Sequence, residues 1–464
     1  MTATMQGITI REILKTTDGR LMTEPDLSVL DLAPRDVSID SRTIREGEIF
    51  FAIKGAKFDG HRFVGEAFRQ GACAAVVRYT YNYKDSQKDR VIVGVEDTLV
   101  ALQKLAGFYR RMFPMPLVAI TGSNGKTTTK DMTSRILGMR FRVMSTRGNF
   151  NNLIGLPLTL LRLVPEDEVA VVELGSSARG EIDQLCQLAD PSVGLITNIG
   201  PAHLEFFGSI GKVAEAKGEL LDYLDNSSTV ILNRDDPLLR KMARKAKGRL
   251  LWFGIREEAD IRTTAIEFDA DGCATIRVDE VDIHLKVPGW HNVYNALGAI
   301  AVGRVFGISV EQSKGVLEEF LSAPLRCEVV RTKGLCLIND TYNANPASTK
   351  AALDLLRSLK PRGDGRRIAV LGEMLELGEY GPEAHEEIGR YAAQLGIDCI
   401  FGVGNLTKKV LDAAVSKGMG VKVGYLRDNI HAKKRLRGFI REGDVILIKG
   451  SRALGMEEIV KEIR

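Results

Sequence analysis

The chain has 464 residues, 44% hydrophobic and 27% charged, an ordinary globular composition with length for about three domains. Its 64 lysines and arginines nearly balance 60 aspartates and glutamates, and the resulting charge of +4 is too small to argue for nucleic acid. Six cysteines (Cys73, Cys186, Cys273, Cys327, Cys336, Cys399) form no Cys-x-x-Cys pair or His/Cys cluster, which argues against a zinc site and a secreted disulfide scaffold and favours a reducing cytoplasm.

Charges interrupt the apolar residues of segment 1–15, and no later run is long and apolar enough to span a bilayer. A soluble cytoplasmic protein, neither targeted nor membrane-inserted, is therefore expected. Along the chain, strand-like pieces over 48–53 and 74–77 and a helix over 98–111 precede the break Phe113-Pro114-Met115-Pro116. From there short apolar runs at 117–120, 169–174, 193–199 and 229–232 alternate with helical segments, which suits a parallel sheet covered on both faces. A second shift falls at Ala323-Pro324. Beyond it, strands over 335–338, 367–371, 399–403 and 445–448 read as a separate doubly wound unit. The reading is an α/β protein of three domains, 1–113, 114–324 and 325–464.

The run 117–120 leads directly into Thr121-Gly122-Ser123-Asn124-Gly125-Lys126-Thr127-Thr128-Thr129. Glycines let such a loop turn tightly and aim its N–H groups at an anion, and the helix expected over 128–139 adds the positive end of its dipole. Lys126 supplies a mobile positive charge, and the Thr127 hydroxyl can ligate magnesium. The common P-loop spacing would place glycine where Ile120 stands, so this loop is a shorter variant.

Glu173 ends the run Val169-Ala170-Val171-Val172, where a carboxylate faces the ligand crevice of an open α/β sheet or pairs with a basic neighbour. His203, in Pro201-Ala202-His203-Leu204-Glu205, stands near the same sheet edge, as a metal ligand or as a hydrogen-bonded structural residue. Lys217 reads as a solvated or ion-paired helix residue, because an ammonium cannot ligate a cation. Only conversion to an anionic carbamate would make it a metal ligand.

These residues resemble the Mur ligases, ATP-dependent amide-forming enzymes of peptidoglycan precursor assembly, across nearly the whole chain. The family loop Gly-Thr-Asn-Gly-Lys-Thr is similar to residues 122–127, with Ser123 the single change. The resemblance implies that Gly122, Ser123, Asn124, Gly125, Lys126, Thr127 and Thr128 hold ATP. It implies that Thr127 and Glu173 bind one magnesium ion, and that His203 and a carbamylated Lys217 help bind a second. Pro288-Gly289-Trp290-His291-Asn292-Val293-Tyr294-Asn295 is similar to the family's adenine segment, with Asn292 and Asn295 as the polar contacts; by pattern alone it is a turn and a helix start.

Asp340-Thr341-Tyr342-Asn343-Ala344-Asn345-Pro346, Leu371-Gly372-Glu373-Met374-Leu375-Glu376-Leu377-Gly378 with His385, and Lys449-Gly450-Ser451-Arg452 resemble segments of the family's D-alanyl-D-alanine-adding branch. The resemblance implies a ribose contact for Asp340, substrate contacts for Tyr342 and Asn343, and an Arg326 that reaches the transferred phosphate. Because Arg326 and Asp340 follow the linker, inward rotation of the third domain is expected. In the first domain Asp40-Ser41-Arg42, Lys54, Asp59 and His61 resemble the family's UDP-binding module, with Ser41, Arg42, Lys54, Asp59 and His61 as substrate contacts. Asn151 and Asn152 continue these contacts into the central domain, where Leu153 departs from the acidic residue usual there. The fold implied is a small α/β UDP-binding module, a P-loop-type parallel-sheet ATPase domain and a C-terminal Rossmann-like domain. The implied catalytic set is Lys126, His203, Lys217 and Arg326, and the implied partners are UDP-N-acetylmuramoyl tripeptide and D-alanyl-D-alanine, acted on by a monomer.

Overall fold

The computed structural model describes residue 5 and residues 7–55, 58–82, 90–416 and 422–464, so residues 1–4 and 6 of the segment 1–15 lie outside the described part. Two compact units are present. Unit one comprises Met1–Ala119, Arg140–Ser176 and Gly180–Gly194, and unit two comprises Ile120–Met139, Ser177–Arg179 and Leu195–Arg464.

In unit one, strands β1 (Arg20–Leu21), β2 (Val37–Ser38), β3 (Ile49–Phe51), β4 (Ala74–Arg78) and β5 (Val91–Val95) form a sheet of order β1-β5-β4-β3-β2. Only β1 runs antiparallel to its neighbour. The almost wholly buried residues of β3 to β5, apolar but for Arg78 at the end of β4, fit strands covered on both faces. Val64, Ala67 and Phe68 of the helix Val64–Arg69 pack on Phe50, Ala75 and Ile92. The helix Thr98–Arg110 is opened by Asp97, whose Oδ1 accepts the N–H groups of Leu99 (2.8 Å) and Val100 (3.1 Å). Unit one also holds β7 (Val143–Ser145), β8 (Val169–Glu173) and the first residues of β6 (Leu117–Thr121) and β9 (Val193–Ile196), in the order β9-β6-β8-β7.

The ends of β6 and β9 belong to unit two, where β10 (Thr229–Asn233), β11 (Arg249–Gly254) and β12 (Ile261–Arg262) complete the order β12-β11-β10-β9-β6. A three-stranded antiparallel sheet follows, β13 (Ala265–Phe268), β14 (Cys273–Val278) and β15 (Val281–Pro288), and β15 feeds the helix Trp290–Val305. The C-terminal part of unit two is a six-stranded sheet: β16 (Glu328–Thr332), β17 (Leu335–Asp340), β18 (Arg367–Gly372), β19 (Cys399–Val403), β20 (Lys422–Leu426) and β21 (Val445–Lys449). Its order is β16-β17-β21-β18-β19-β20, parallel except for β16. Helices Pro346–Ser358, Gly381–Gln394 and Thr407–Ser416 bury one face, and Asn429–Arg437 with Glu457–Ile463 bury the other. This is a doubly wound sheet, in which ligands bind beyond the carboxyl ends of the strands where the order reverses. Asp340 and Lys449 end neighbouring strands in matched register, which brings both side chains to that edge.

Two expectations are corrected. The helix after the phosphate loop begins at Lys126, two residues before the expected start, because Gly125 adopts φ 80° and turns the chain straight into it. Strand β9 ends at Ile196 rather than 199; beyond it the side chains of Thr197 and Asn198 turn to the loop and donate to the Asn124 carbonyl. No described helix is long and apolar enough to cross a membrane.

Candidate active site

The loop of residues 122–127 is held rigidly from one side. Thr197 Oγ1 (2.6 Å) and Asn198 Nδ2 (3.0 Å) both donate to the Asn124 carbonyl, and the Asn124 N–H returns to Asn198 Oδ1 at 3.0 Å. Ser123 Oγ accepts the Gly200 N–H at 2.8 Å. A Cβ on Gly122 would lie 2.1 Å from Thr197 Oγ1, and one on Gly125 would lie 2.3 Å from Asn295 Oδ1, so both positions require glycine for approach as well as for their positive φ. Lys126 Nζ is drawn back over the loop by the carbonyls of Gly122 (2.8 Å) and Ser123 (3.2 Å). The first-turn N–H groups of the helix Lys126–Leu137 share this edge, which makes an anion cradle.

His203 sits at φ 54°, a left-handed conformation that costs about 1–3 kcal/mol for a residue with a side chain. Its Nδ1 lies 2.6 Å from Glu376 Oε2, and Glu376 is also left-handed, at φ 62°. Burial lowers the imidazole's pKa, Lys126 and Lys217 push the same way, and Glu376 opposes them. The ring is therefore kept neutral, the form that can bind a metal. Lys217 is 2% exposed within the helix Ile210–Tyr223, and its influence on His203 places it in the same neighbourhood.

Asn292 and Asn295 connect the helix that carries them to the strand before it and to the loop helix. Asn292 Nδ2 donates to the Pro288 carbonyl (2.8 Å), Asn295 Nδ2 donates to Asn292 Oδ1 (2.9 Å), and Thr129 Oγ1 donates to Asn295 Oδ1 (3.2 Å). These bonds fix the helix Trp290–Val305 against the start of the loop helix. Arg326 stacks over the Tyr342 ring at 3.8 Å and donates from Nη2 to Thr127 Oγ1 at 3.1 Å. Its neighbours Leu325 and Cys327 are both left-handed, so the backbone is strained where it delivers this side chain. Asp340 accepts the Cys327 N–H at 3.1 Å and pairs with the buried Lys449 at 2.5 Å; Lys449 also donates to the Asn343 carbonyl at 2.8 Å.

In unit one, Glu173 ends β8 at 3% exposure, accepting Asn151 Nδ2 at 2.7 Å and donating its N–H to Thr146 Oγ1 at 3.1 Å. Asn152 uses its Oδ1 locally, on the N–H groups of Ile154 and Gly155. A cavity of about 1540 Å³ is lined in part by Asp40, Ser41, Arg42, His61, Arg62 and Phe150. Arg42 pairs with Asp40 at 2.6 Å, and its hydrogen bonds pull the Asp40 pKa down to about 2. Lys54 and Asp59 stand outside the lining. Asp59 instead accepts His61 Nδ1 at 2.7 Å while His61 Nε2 accepts the Arg78 N–H at 3.0 Å, which orients the imidazole.

Three family models match the chain: "Mur ligase family, catalytic domain" over 35–110, "Mur ligase middle domain" over 120–303, and "Mur ligase, glutamate ligase domain" over 325–452. The UDP-N-acetylmuramoyl-tripeptide–D-alanyl-D-alanine ligase of Bacillus subtilis is 38% identical over 92% of each chain. The chain belongs to the Mur ligase family. Among solved structures, MurF from Acinetobacter baumannii is similar with a TM-score of 0.87 and 30% identity over 98% of each chain. MurF from Thermotoga maritima, solved in complex with ADP, gives a TM-score of 0.81 at 30% identity over 92% of this chain and 97% of that one. The α/β Mur ligase fold expected from the sequence is the one observed.

Within this Mur ligase fold, unit two brings Lys126, Thr127, His203, Lys217 and Arg326 to the phosphate loop's surroundings. Sequence reading assigned no role to Asn345 and Glu376. Asn345 Nδ2 donates to Asn124 Oδ1 at 2.7 Å, and the Glu376 carbonyl accepts the Glu205 N–H at 3.0 Å beside the His203 contact. Their sequence signal is membership of the two family-like segments after β17 and β18, which marks neither contact. His385, by contrast, is structural: Nε2 accepts the Met374 N–H (3.1 Å) and Nδ1 donates to the Gly381 carbonyl (2.6 Å).

Proposed function

We propose that the chain is an ATP-dependent ligase joining D-alanyl-D-alanine to UDP-N-acetylmuramoyl tripeptide through an acyl phosphate, in peptidoglycan precursor synthesis. The observation that carries this reading is Arg326, which comes from beyond residue 324 and reaches the hydroxyl of Thr127 in the phosphate loop. Phosphoryl transfer is catalysed by positioning and charge stabilisation, and an arginine set on a phosphate loop supplies both. The names of the relatives supply the substrate class.

In the reaction, an oxygen of the tripeptide's terminal carboxylate attacks the γ-phosphorus of ATP and ADP leaves. The dipeptide's amine then attacks the acyl carbon, the C–O bond to phosphate breaks, and the amine loses a proton. Lys126 and the loop N–H groups neutralise charge on the β- and γ-phosphates, and Arg326 stabilises the phosphoryl group in flight. Asn292 and Asn295 bind adenine and Asp340 the ribose. Tyr342 and Asn343 serve the incoming dipeptide. Ser41, Arg42, Lys54, Asp59, His61, Asn151 and Asn152 serve the UDP-linked substrate, whose nucleotide end we place in the unit-one cavity.

Magnesium, when bound, offsets phosphate charge and orients the reacting oxygens. Each proposed ligand is of a type magnesium accepts: the Thr127 hydroxyl and the Glu173 carboxylate are proposed for one ion, and the His203 imidazole and Lys217 as a carbamate for a second. The domains are 1–113 for the UDP substrate, 114–324 for ATP and 325–464 for ligation, in a cytoplasmic monomer. Tripeptide labelled with ¹⁸O in its terminal carboxylate tests the route. One labelled oxygen per released phosphate is expected, and unlabelled phosphate accompanying amide product contradicts an acyl phosphate.

A further inference from the structure

Asn345 immediately precedes the helix Pro346–Ser358 and uses both ends of its amide. Its Oδ1 accepts the Ser348 N–H at 2.9 Å as the helix N-cap. Only the oxygen can accept that N–H, so the cap fixes the amide's orientation and leaves the nitrogen facing the phosphate loop. There Nδ2 donates to Asn124 Oδ1 at 2.7 Å. Asn124 is the loop residue whose backbone is already clamped by Thr197 and Asn198. The bond from Asn345 adds a clamp on its side chain from a different part of the fold. Asn345 also lies five residues beyond Asp340, on the connection that leaves the carboxyl end of β17.

We infer that Asn345 is a positioning residue for the nucleotide: by holding the Asn124 side chain it keeps the loop N–H groups aimed at the phosphates in register with Asp340. The inference rests on the ATP-dependent reading above and concerns a residue that reading leaves without a role. Asn345→Ser separates its two tasks, because serine caps a helix about as well as asparagine but is too short to reach Asn124. Asn124→Ala removes the same bond from the loop side and leaves the cap intact.

The experiment titrates ATP into each variant calorimetrically and follows thermal unfolding. Each single variant is expected to weaken ATP binding about tenfold, the equivalent of about 1.4 kcal/mol for one lost hydrogen bond, with an unchanged unfolding midpoint for Asn345→Ser. The double variant is expected to bind no more weakly than the weaker single, since both remove one bond. Unchanged ATP affinity in Asn345→Ser, or losses that multiply in the double variant, would overturn the inference. Affinity is measured without the other substrates, so failure of the amide assay contradicts the ligase reading alone and leaves this test standing.

Discussion

Lys126 illustrates how a single side chain can be both structural and chemical. It is anchored on two loop carbonyls, so removing it loosens the loop, yet its charge is what the phosphates of ATP require. Lys126→Ala is expected to fold and to lose at least about a thousandfold in turnover, the scale of removing one preorganised charge donor; near-normal turnover by a folded variant contradicts its role. Lys217, 2% exposed, is a sharper case, because its ammonium cannot ligate a cation and only a carbamate could. Lys217→Ala should be inactive and partly restored by a short-chain carboxylic acid that replaces the carbamate, and full activity without the acid rules the carbamate out. Glu376 meets His203 through Nδ1, leaving Nε2 as the free ligand position. Glu376→Ala is expected to weaken magnesium dependence about tenfold or more, read as the metal concentration giving half-maximal turnover; an unchanged value would detach Glu376 from the metal.

At the scale of elements, what could be read from the sequence was what periodicity and glycine encode. The buried runs of β6, β8, β19 and β21 are short, apolar and unambiguous, and the loop after β6 carries its glycines where the backbone needs them. The antiparallel sheet β13-β14-β15 was missed. Its β14–β15 turn is Asp279-Glu280, both at positive φ, where the usual signal would be Asn-Gly. The contacts of Asn345 and Glu376 were equally hidden, because each joins parts of the chain more than a hundred residues apart and no local pattern marks such a pairing. Caps, in contrast, are local and testable. Asp97→Ala removes the one oxygen that accepts two N–H groups at the start of Thr98–Arg110 and is expected to cost about 1 kcal/mol, seen as a lower urea midpoint; an unchanged midpoint would show that the helix does not depend on its cap.

For the molecule as a whole, three histidines of unit two, His203 and His291, both partly buried, and the fully buried His385, have pKa values lowered chiefly by desolvation. Unfolding frees each to take a proton at its ordinary value of about 6.5. Their contribution to stability is therefore fully present above that pH and declines as the pH falls through 6.5 toward the lower folded values. Urea midpoints should drop between pH 7 and pH 5.5, and a midpoint that rises over this range contradicts neutral burial. The central claim is that phosphate loop, buried ligands and C-terminal strands together make an amide between two peptides. It is tested most directly by mass spectrometry of a mixture of the protein, ATP, magnesium, UDP-N-acetylmuramoyl tripeptide and D-alanyl-D-alanine. UDP-N-acetylmuramoyl pentapeptide accumulating in step with ADP is the result this account predicts, and ATP consumed with no pentapeptide formed is the result that would contradict it.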